Sequence, residues 1–174
     1  INEISNDVDI VFSVHPRTRK TLLENKIIPK INVTDLDGDF DSILQANKLG
    51  SITVVHAHGD NIAKIKRILP LLKGKVVCTT QIKPLGRVHN FYGFTDGDRA
   101  VSLSIYFKAK PIFLYAFKFY DDTSIKARKL QVGKYLIEKY AKTYRHLYDL
   151  SVNESNLGLQ KISIPELEKL LKNG

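Results

Sequence analysis

Four aspartates at alternate positions, Asp35, Asp37, Asp39 and Asp41, make residues 34–42 chemically distinctive. A short apolar run precedes this stretch and a run with helical periodicity follows it, which predicts a strand, an acidic turn and a helix. Carboxylates this close repel one another, so the turn needs a cation or N–H donors beside it. A helix N-terminus supplies some of that stabilisation, and Mg²⁺ bound together with phosphate supplies more. The alternative is a solvated capping turn, because Asp is a favoured N-cap.

The alternate aspartates also begin like the calcium loop of an EF-hand, which needs Gly at its sixth position and Glu at its twelfth. Counted from Asp35, those positions hold Phe40 and Ala46. Phe does not favour the sharp turn and Ala offers no ligand atom, so the sequence excludes an EF-hand.

A second polar loop, HAHGDN at residues 56–61, directly follows a predicted strand. It is similar to the H-x-H-x-D-H zinc motif of metallo-β-lactamase-like hydrolases, but Asn61 stands at the last position. Zinc favours three or four nitrogen or sulfur ligands, and Asn61 takes the place of one histidine of the motif. A zinc hydrolase is therefore a weak alternative. His56 and His58 are predicted either to line a binding site or to hydrogen-bond the loop backbone.

Asp60, in the same loop, follows a strand that is predicted to run parallel to the one before Asp35. Parallel neighbours end at the same edge of a sheet, so Asp60 is predicted to complete a carboxylate set with Asp35 and Asp37. Such a set is suited to Mg²⁺.

The third loop, NFYGFTDGDR at residues 90–99, leads into a predicted helix. Gly93 and Gly97 permit close approach of the backbone. Thr95 and the first-turn N–H groups can bind an anion, and Arg99 adds a planar cation suited to phosphate. The alternative is a well-capped helix, but the added polar and aromatic side chains favour nucleotide binding.

Apolar runs that predict strands alternate with amphipathic stretches that predict helices. Strands are predicted at residues 9–14, 31–34, 52–56, 75–80 and 111–117, and helices at 17–26, 41–49, 61–72, 95–107, 129–148 and 165–172. The alternation is typical of an α/β fold, here a Rossmann-like open, mostly parallel sheet with helices on both faces. Ligands bind such sheets beyond the carboxyl ends of the strands, where the polar loops lie.

The length of 174 residues suits one domain, which we expect to span residues 1–174. A formal net charge of +9 favours an anionic partner. Cys78 is the only cysteine, which excludes an internal disulfide and is typical of a cytoplasmic protein. No apolar run approaches the roughly 20 residues that span a membrane, and no signal peptide is recognisable. The chain begins at Ile1 rather than Met, so a longer natural N-terminus is expected.

Together, TDLDGD, HAHGDN, TTQ and NFYGFTDGDRA resemble the archaeal MptE-like family of pterin pyrophosphokinases, from about residue 29 to residue 117. The segment IIPKINVTDLDGDFDSI is also similar, more distantly, to thiamine pyrophosphokinases. The resemblance implies a single Mg²⁺-dependent catalytic domain. It would transfer diphosphate from ATP to the hydroxymethyl group of 6-hydroxymethyl-7,8-dihydropterin, with AMP as the other product.

The resemblance also implies roles for individual residues. It matches Asp35, Asp37 and Asp60 to metal ligands and places Gln81, Asn90, Thr95, Asp96 and Arg99 along the ATP and substrate cleft. Beyond the resemblance, we predict that the same cleft is lined by His56, His58, Asn61, Thr80, Phe91 and Asp98. For catalysis we predict Asp37, Asp39, Asp96 and Arg99, and the choice of base between Asp39 and Asp96 stays open.

One turn departs from the family pattern. Where the family has an A-D-G-A-like turn after its first strand, residues 14–18 read VHPRT, with Pro16 and Arg17 in place of Asp and Gly. Arg17 is therefore predicted to contact the acceptor, and the acceptor itself, a pterin or another hydroxymethyl heterocycle, stays open.

A non-enzymatic module that binds nucleotide or nucleic acid is the alternative from another class. The net charge favours it, but the basic residues are scattered over predicted helix faces. They do not interleave with Tyr and Phe in an RNA-binding pattern. Nucleic acid is therefore not an expected partner. A membrane is not expected either, because no apolar run is long enough to span one. The oligomeric state stays open.

Overall fold

The computed structural model describes residues 11–12, 24–25, 27–115, 117, 124–150 and 157–172. The chain divides into two compact units, Ile1–Tyr92 and Gly93–Gly174. The single domain over residues 1–174 stays a prediction. Most of the helix predicted at residues 17–26 lies outside the described residues.

The first unit is built on a five-stranded sheet. Its elements are β1 (Val11–Phe12), β2 (Ile31–Thr34), α1 (Phe40–Lys48), β3 (Ile52–Ala57), α2 (Ile62–Ile68), the 3-10 helix (Leu69–Leu71), β4 (Val76–Thr80) and β5 (Val88–His89). The strand order is β1-β2-β3-β4-β5, and each described pairing is parallel. Helix α1 follows β2, and helix α2 with the short 3-10 helix follows β3.

The register of the first sheet brings the carboxyl ends of its central strands together. Thr34 at the end of β2 pairs with Val55 of β3, and Ala57 at the end of β3 pairs with Thr80 of β4. The turns that follow these strands therefore leave from one edge of the sheet, as is usual for ligand sites in parallel sheets.

An apolar cluster and a buried amide hold the helices of the first unit to its sheet. The cluster consists of Leu36, Ile43, Val55, Ile68 and Leu72. Asn47, at the end of α1, is 1% exposed. Its Nδ2 donates to Thr53 Oγ1 at 3.1 Å and to the carbonyl oxygen of Lys75 at 3.0 Å, which ties α1 to the start of β3 and to the chain before β4.

The second unit contains a three-stranded sheet. Its elements are α3 (Asp96–Tyr106), β6 (Ile112–Leu114), α4 (Ile125–Thr143), β7 (Leu147–Asp149), β8 (Gln160–Lys161) and α5 (Ile164–Lys172). The strand order is β6-β7-β8, and both pairings are parallel. Its core joins helix to strand through six buried side chains: Val101, Ile112, Leu114, Ile137, Leu147 and Leu157.

These elements confirm the predicted α/β fold with parallel strands. The structure differs from the prediction in several details. The strand predicted at residues 111–117 belongs to a second sheet. The helix predicted at residues 129–148 spans Ile125–Thr143 and is followed by β7, and the strand β5 lies where none was predicted. The finer description of the fold as Rossmann-like stays a prediction. Within the described part of the chain, no helix combines the length and the apolar character needed to cross a bilayer.

Candidate active site

The turn after β2 is shaped by its own side chains. Thr34 Oγ1 accepts a hydrogen bond from the N–H of Leu36 at 3.0 Å, and Asp35 Oδ1 accepts one from the N–H of Asp37 at 3.1 Å. Leu36 has a φ of +66° and a side chain that is 0% exposed. A left-handed residue other than Gly costs about 1–3 kcal/mol, and such strain collects at functional sites. Burial of Leu36 therefore holds the turn in a strained shape, with an acidic residue on either side of it.

Asp35 and Asp37 form a pair of neighbouring carboxylates at this edge of the sheet. One carboxylate oxygen of Asp35 lies within 4.8 Å of one of Asp37. Asp35 is half-buried and Asp37 is exposed. Mg²⁺ is usually bound by one or two protein carboxylates, with water and phosphate oxygens completing its shell. The two side chains therefore fit a magnesium ion that also contacts a phosphate ligand.

Asp39 and Asp41 begin helix α1. Asp39 is the N-cap, and its carboxylate accepts hydrogen bonds from the N–H of Asp41, at 3.3 Å, and from the hydroxyl of Ser42. Asp41 lies in the first turn, where a negative charge complements the helix dipole. The structure makes Asp39 the cap of α1 and places Asp41 in its first turn. A role for Asp39 as the base stays a prediction.

Asn61 joins the loop after β3 to the acidic turn. Its Nδ2 donates to the carbonyl oxygens of Asp35 and His56, both at 2.7 Å, and its Oδ1 accepts from the N–H of His58 at 3.2 Å. The residue is 1% exposed. At the position where the zinc motif has His, this chain therefore has an amide that connects two loops.

The two histidines of this loop have different surroundings. His58 Nε2 lies 3.7 Å from Asp35 Oδ2, within ion-pair distance when the ring is protonated. His56 is 1% exposed, and its Nδ1 lies 3.0 Å from Thr79 Oγ1 on β4. Within the described ranges, neither histidine belongs to a group of three metal-ligand atoms within 4.8 Å of one another. This arrangement does not favour a zinc site.

Asp60 lies in the turn after β3 and is exposed. Among the described residues, it does not form a group of three ligand atoms within 4.8 Å of one another with Asp35 and Asp37. A direct metal contact from Asp60 stays a prediction.

The loop after β4 is held by a second asparagine. Asn90 Nδ2 donates to the carbonyl oxygen of Ile82 at 3.2 Å, and Thr80 Oγ1 accepts from the N–H of Ile82 at 3.4 Å. Phe91 is 8% exposed, whereas Gln81 is exposed. Thr80 and Asn90 therefore help to shape the loop, and the ligand contacts of all four predicted residues stay predictions.

In the second unit, the segment before α3 folds back on the first turn of that helix. The carboxylate of Asp98 accepts hydrogen bonds from the N–H groups of Phe94 and Thr95, the latter at 2.7 Å, and from the hydroxyl of Thr95. Arg99 donates from Nη1 to the carbonyl oxygen of Gly93 and from Nη2 to that of Phe94, each at 3.1 Å. Asp98 is 1% and Arg99 3% exposed. Both side chains therefore hold the loop together, and their contacts with ATP stay predictions.

Asp96 and Arg17 are the two remaining predicted site residues. Asp96 is the first residue of α3 and is partly buried. Arg17 lies outside the described residues.

Gly133, in the middle of α4, is a residue near this loop that was not predicted. A Cβ atom there would lie 2.8 Å from Asp98 Oδ1, so the absence of a side chain leaves room for that carboxylate. The sequence does mark this position, because Gly133 is an isolated glycine inside a helical pattern. Such a glycine, when retained, usually has a packing or functional reason.

Comparison with known proteins places these loops in a family. The sequence model of the family described as 6-hydroxymethylpterin diphosphokinase MptE-like matches residues 1–118. Relatives named 6-hydroxymethyl-7,8-dihydropterin pyrophosphokinase are 53% identical over 100 residues in Methanocaldococcus jannaschii, 50% over 98 in Methanothermobacter thermautotrophicus and 47% over 100 in Pyrococcus furiosus. These matches cover 55–56% of this chain and 41–42% of each relative, so the chain matches about two fifths of their length. Because the family model spans more than half of the sequence, the chain belongs to the 6-hydroxymethylpterin diphosphokinase MptE-like family.

Proposed function

We propose that this protein is a Mg²⁺-dependent diphosphotransferase that converts ATP and 6-hydroxymethyl-7,8-dihydropterin into AMP and the pterin diphosphate. Membership of the MptE-like family and the names of three relatives support this reaction. The observation that carries the proposal is the pair of carboxylates, Asp35 and Asp37, within 4.8 Å of each other at the end of β2. A cytoplasmic location is part of the proposal.

The acidic turn supplies the metal-binding part of this chemistry. Asp35 and Asp37 would hold Mg²⁺, which on binding neutralises charge on the ATP phosphates and makes phosphorus easier to attack. Asn61 fixes the backbone of Asp35 through the hydrogen bond to its carbonyl oxygen. His58, 3.7 Å from Asp35 Oδ2, stands beside the same carboxylate. The turn is thus held in place before a ligand arrives, as catalysis by positioning requires.

In the proposed step, the hydroxymethyl oxygen of the acceptor attacks the β-phosphorus of ATP. The bond between that phosphorus and the oxygen bridging to the α-phosphate breaks, and AMP leaves with both electrons of the bond. The proton of the hydroxymethyl group goes to a base, for which the sequence predicts Asp39 or Asp96. The sequence has no G-x-x-x-x-G-K-[ST] loop of the kind that binds the phosphates in P-loop enzymes.

Product analysis tests this function. Purified protein is incubated with ATP, Mg²⁺ and 6-hydroxymethyl-7,8-dihydropterin, and nucleotides and pterins are separated by chromatography. AMP and the pterin diphosphate are expected in equal amounts, with neither formed when the acceptor is left out. ADP as the main product, or no acceptor-dependent use of ATP, would contradict the proposal.

A further inference from the structure

Helix α4 contacts the loop before α3 at a position without a side chain. Residues 93–95 are called the entry loop here. A Cβ atom at Gly133 would lie 2.8 Å from Asp98 Oδ1, 3.3 Å from Asp98 Cγ and 3.3 Å from Thr95 Oγ1. A distance of 2.8 Å is shorter than packed side chains tolerate, so either the carboxylate or the helix would have to move.

The Asp98 carboxylate cannot move aside without losing its partners. It accepts three hydrogen bonds, from the N–H groups of Phe94 and Thr95 and from the hydroxyl of Thr95. It is also 1% exposed, so water does not replace a lost donor. A buried charge without its donors is strongly unfavourable. A side chain at position 133 therefore conflicts with the hydrogen bonds that shape the entry loop.

The same loop is held from its other side by Arg99. The guanidinium group donates to the carbonyl oxygens of Gly93 and Phe94. Gly93 has a φ of +85°, and a Cβ atom there would lie 2.4 Å from the Cα atom of Arg99. With two of its N–H groups bound by Asp98 and two of its carbonyl groups bound by Arg99, the entry loop has little freedom to change shape.

A second contact fixes the distance between the two helices. Tyr140 lies seven residues after Gly133, on the same face of α4, and its hydroxyl is 2.8 Å from Ser102 Oγ on α3. Ile137 lies between them and is 0% exposed. Because the helices are packed along this face, α4 cannot easily withdraw to make room for a larger residue at position 133.

We propose that Gly133 and Asp98 are positioning residues for the transferase reaction, an inference that rests on the proposed function. Gly133 leaves the space that the Asp98 carboxylate fills, and that carboxylate fixes the entry loop and the side chain of Thr95. The shape of a loop predicted to line the ATP cleft is therefore set by a residue of α4 that no motif contains. Asp98 acts through the loop, by holding the N–H groups of Phe94 and Thr95.

The test compares Gly133→Ala, Asp98→Ala, the double variant and Gln131→Ala in the 174-residue chain. Gln131→Ala is the matched control, because it also places Ala on α4 but at an exposed position. Alanine favours a helix more than glycine does, so Gly133→Ala should not weaken α4 itself. Circular dichroism first establishes that the variants are folded. Amide hydrogen exchange is then measured at Phe94 and Thr95, and kcat and KM are measured for each substrate.

Faster exchange at Phe94 and Thr95 is expected in Gly133→Ala and Asp98→Ala but not in the control. The value of kcat/KM for ATP should fall by about 10- to 100-fold in both, the range that misplacement of a binding group produces. The double variant should be no worse than Asp98→Ala alone, since both changes disturb one unit. Wild-type exchange and kinetics in Gly133→Ala would overturn the inference. If the wild-type protein forms no AMP, the proposed function fails instead, and unchanged exchange in Gly133→Ala would still refute the coupling.

Discussion

Asn61 is the residue that most clearly explains why the acidic turn keeps its shape. Its side chain makes hydrogen bonds to Asp35, His56 and His58, and it is 1% exposed. An amide is suited to this position because it both donates and accepts. Histidine, which a zinc motif would place here, cannot donate two hydrogen bonds from one atom.

Replacing Asn61 with Ala should destabilise the protein by about 1–3 kcal/mol, because two carbonyl groups and one N–H group lose buried partners. The midpoint of urea denaturation would measure the loss. Asp60→Ala, at the exposed neighbouring position, is the control and should change stability by no more than about 0.5 kcal/mol. Equal midpoints for the two variants would mean that the loops do not depend on the amide.

The acidic pair could be predicted from sequence, but its supports could not. Aspartates at alternate positions after an apolar run form a local pattern. This pattern predicted that Asp35 and Asp37 lie at the end of a strand. The capping role of Asp39 was one local alternative, and the geometry of α1 shows that Asp39 does cap the helix. The bond from Asn61 to the carbonyl of Asp35 spans 26 residues, a distance over which periodicity carries no signal.

The periodicity of the sequence predicted whether a segment is a helix or a strand better than it predicted where that element ends. The pattern that predicted a helix over residues 129–148 continues through residues that also suit a strand. Leu147 pairs with Ile112 in the second sheet, and this long-range pairing, absent from the local pattern, ends α4 at Thr143. The separation of the strands into two sheets likewise depends on contacts between distant segments, so the sequence pattern did not reveal it.

Helix α5 offers a test by pH. Ser163 donates to Glu166 Oε2 from its hydroxyl at 2.6 Å and from its N–H at 2.8 Å, and these bonds lower the pKa of Glu166 below its ordinary value. A carboxyl group whose pKa is lower in the folded state stabilises it above the unfolded pKa, and that contribution is lost as the pH falls through the folded value.

Glu166→Gln should therefore lower the thermal unfolding midpoint at pH 7, and its difference from wild type should shrink as the pH falls through the lowered pKa of Glu166. Glu168→Gln, on the same helix, is the control for removing one negative charge. A gap between wild type and Glu166→Gln that stays constant from neutral to acid pH would show that the two hydrogen bonds do not favour the ionised side chain.

For the chain as a whole, the net charge of +9 leaves nucleic-acid binding as a competing explanation. Binding that depends on scattered lysines and arginines is dominated by counterion release and weakens steeply with salt. We expect fluorescence anisotropy with short RNA to find no saturable binding near about 0.15 M salt, where surface charges are largely screened. Tight binding at that salt, together with absent ATP turnover, would favour the binding module.

The central claim is that the acidic turn after β2 is the magnesium site of a diphosphotransferase. The most direct measurement is AMP formation as a function of Mg²⁺ concentration in wild type, Asp37→Asn and Asp41→Asn. Asp41 is the control, because it lies in the same turn-and-helix segment but belongs to the start of α1.

Wild-type activity should require Mg²⁺, and Asp37→Asn should remain folded while kcat/KM falls by about 100-fold or more, since the metal supplies several kcal/mol of charge stabilisation. Asp41→Asn should stay within about twofold of wild type, as expected for a surface change worth about 0.5 kcal/mol or less. Wild-type turnover by Asp37→Asn with an unchanged Mg²⁺ dependence would contradict the account.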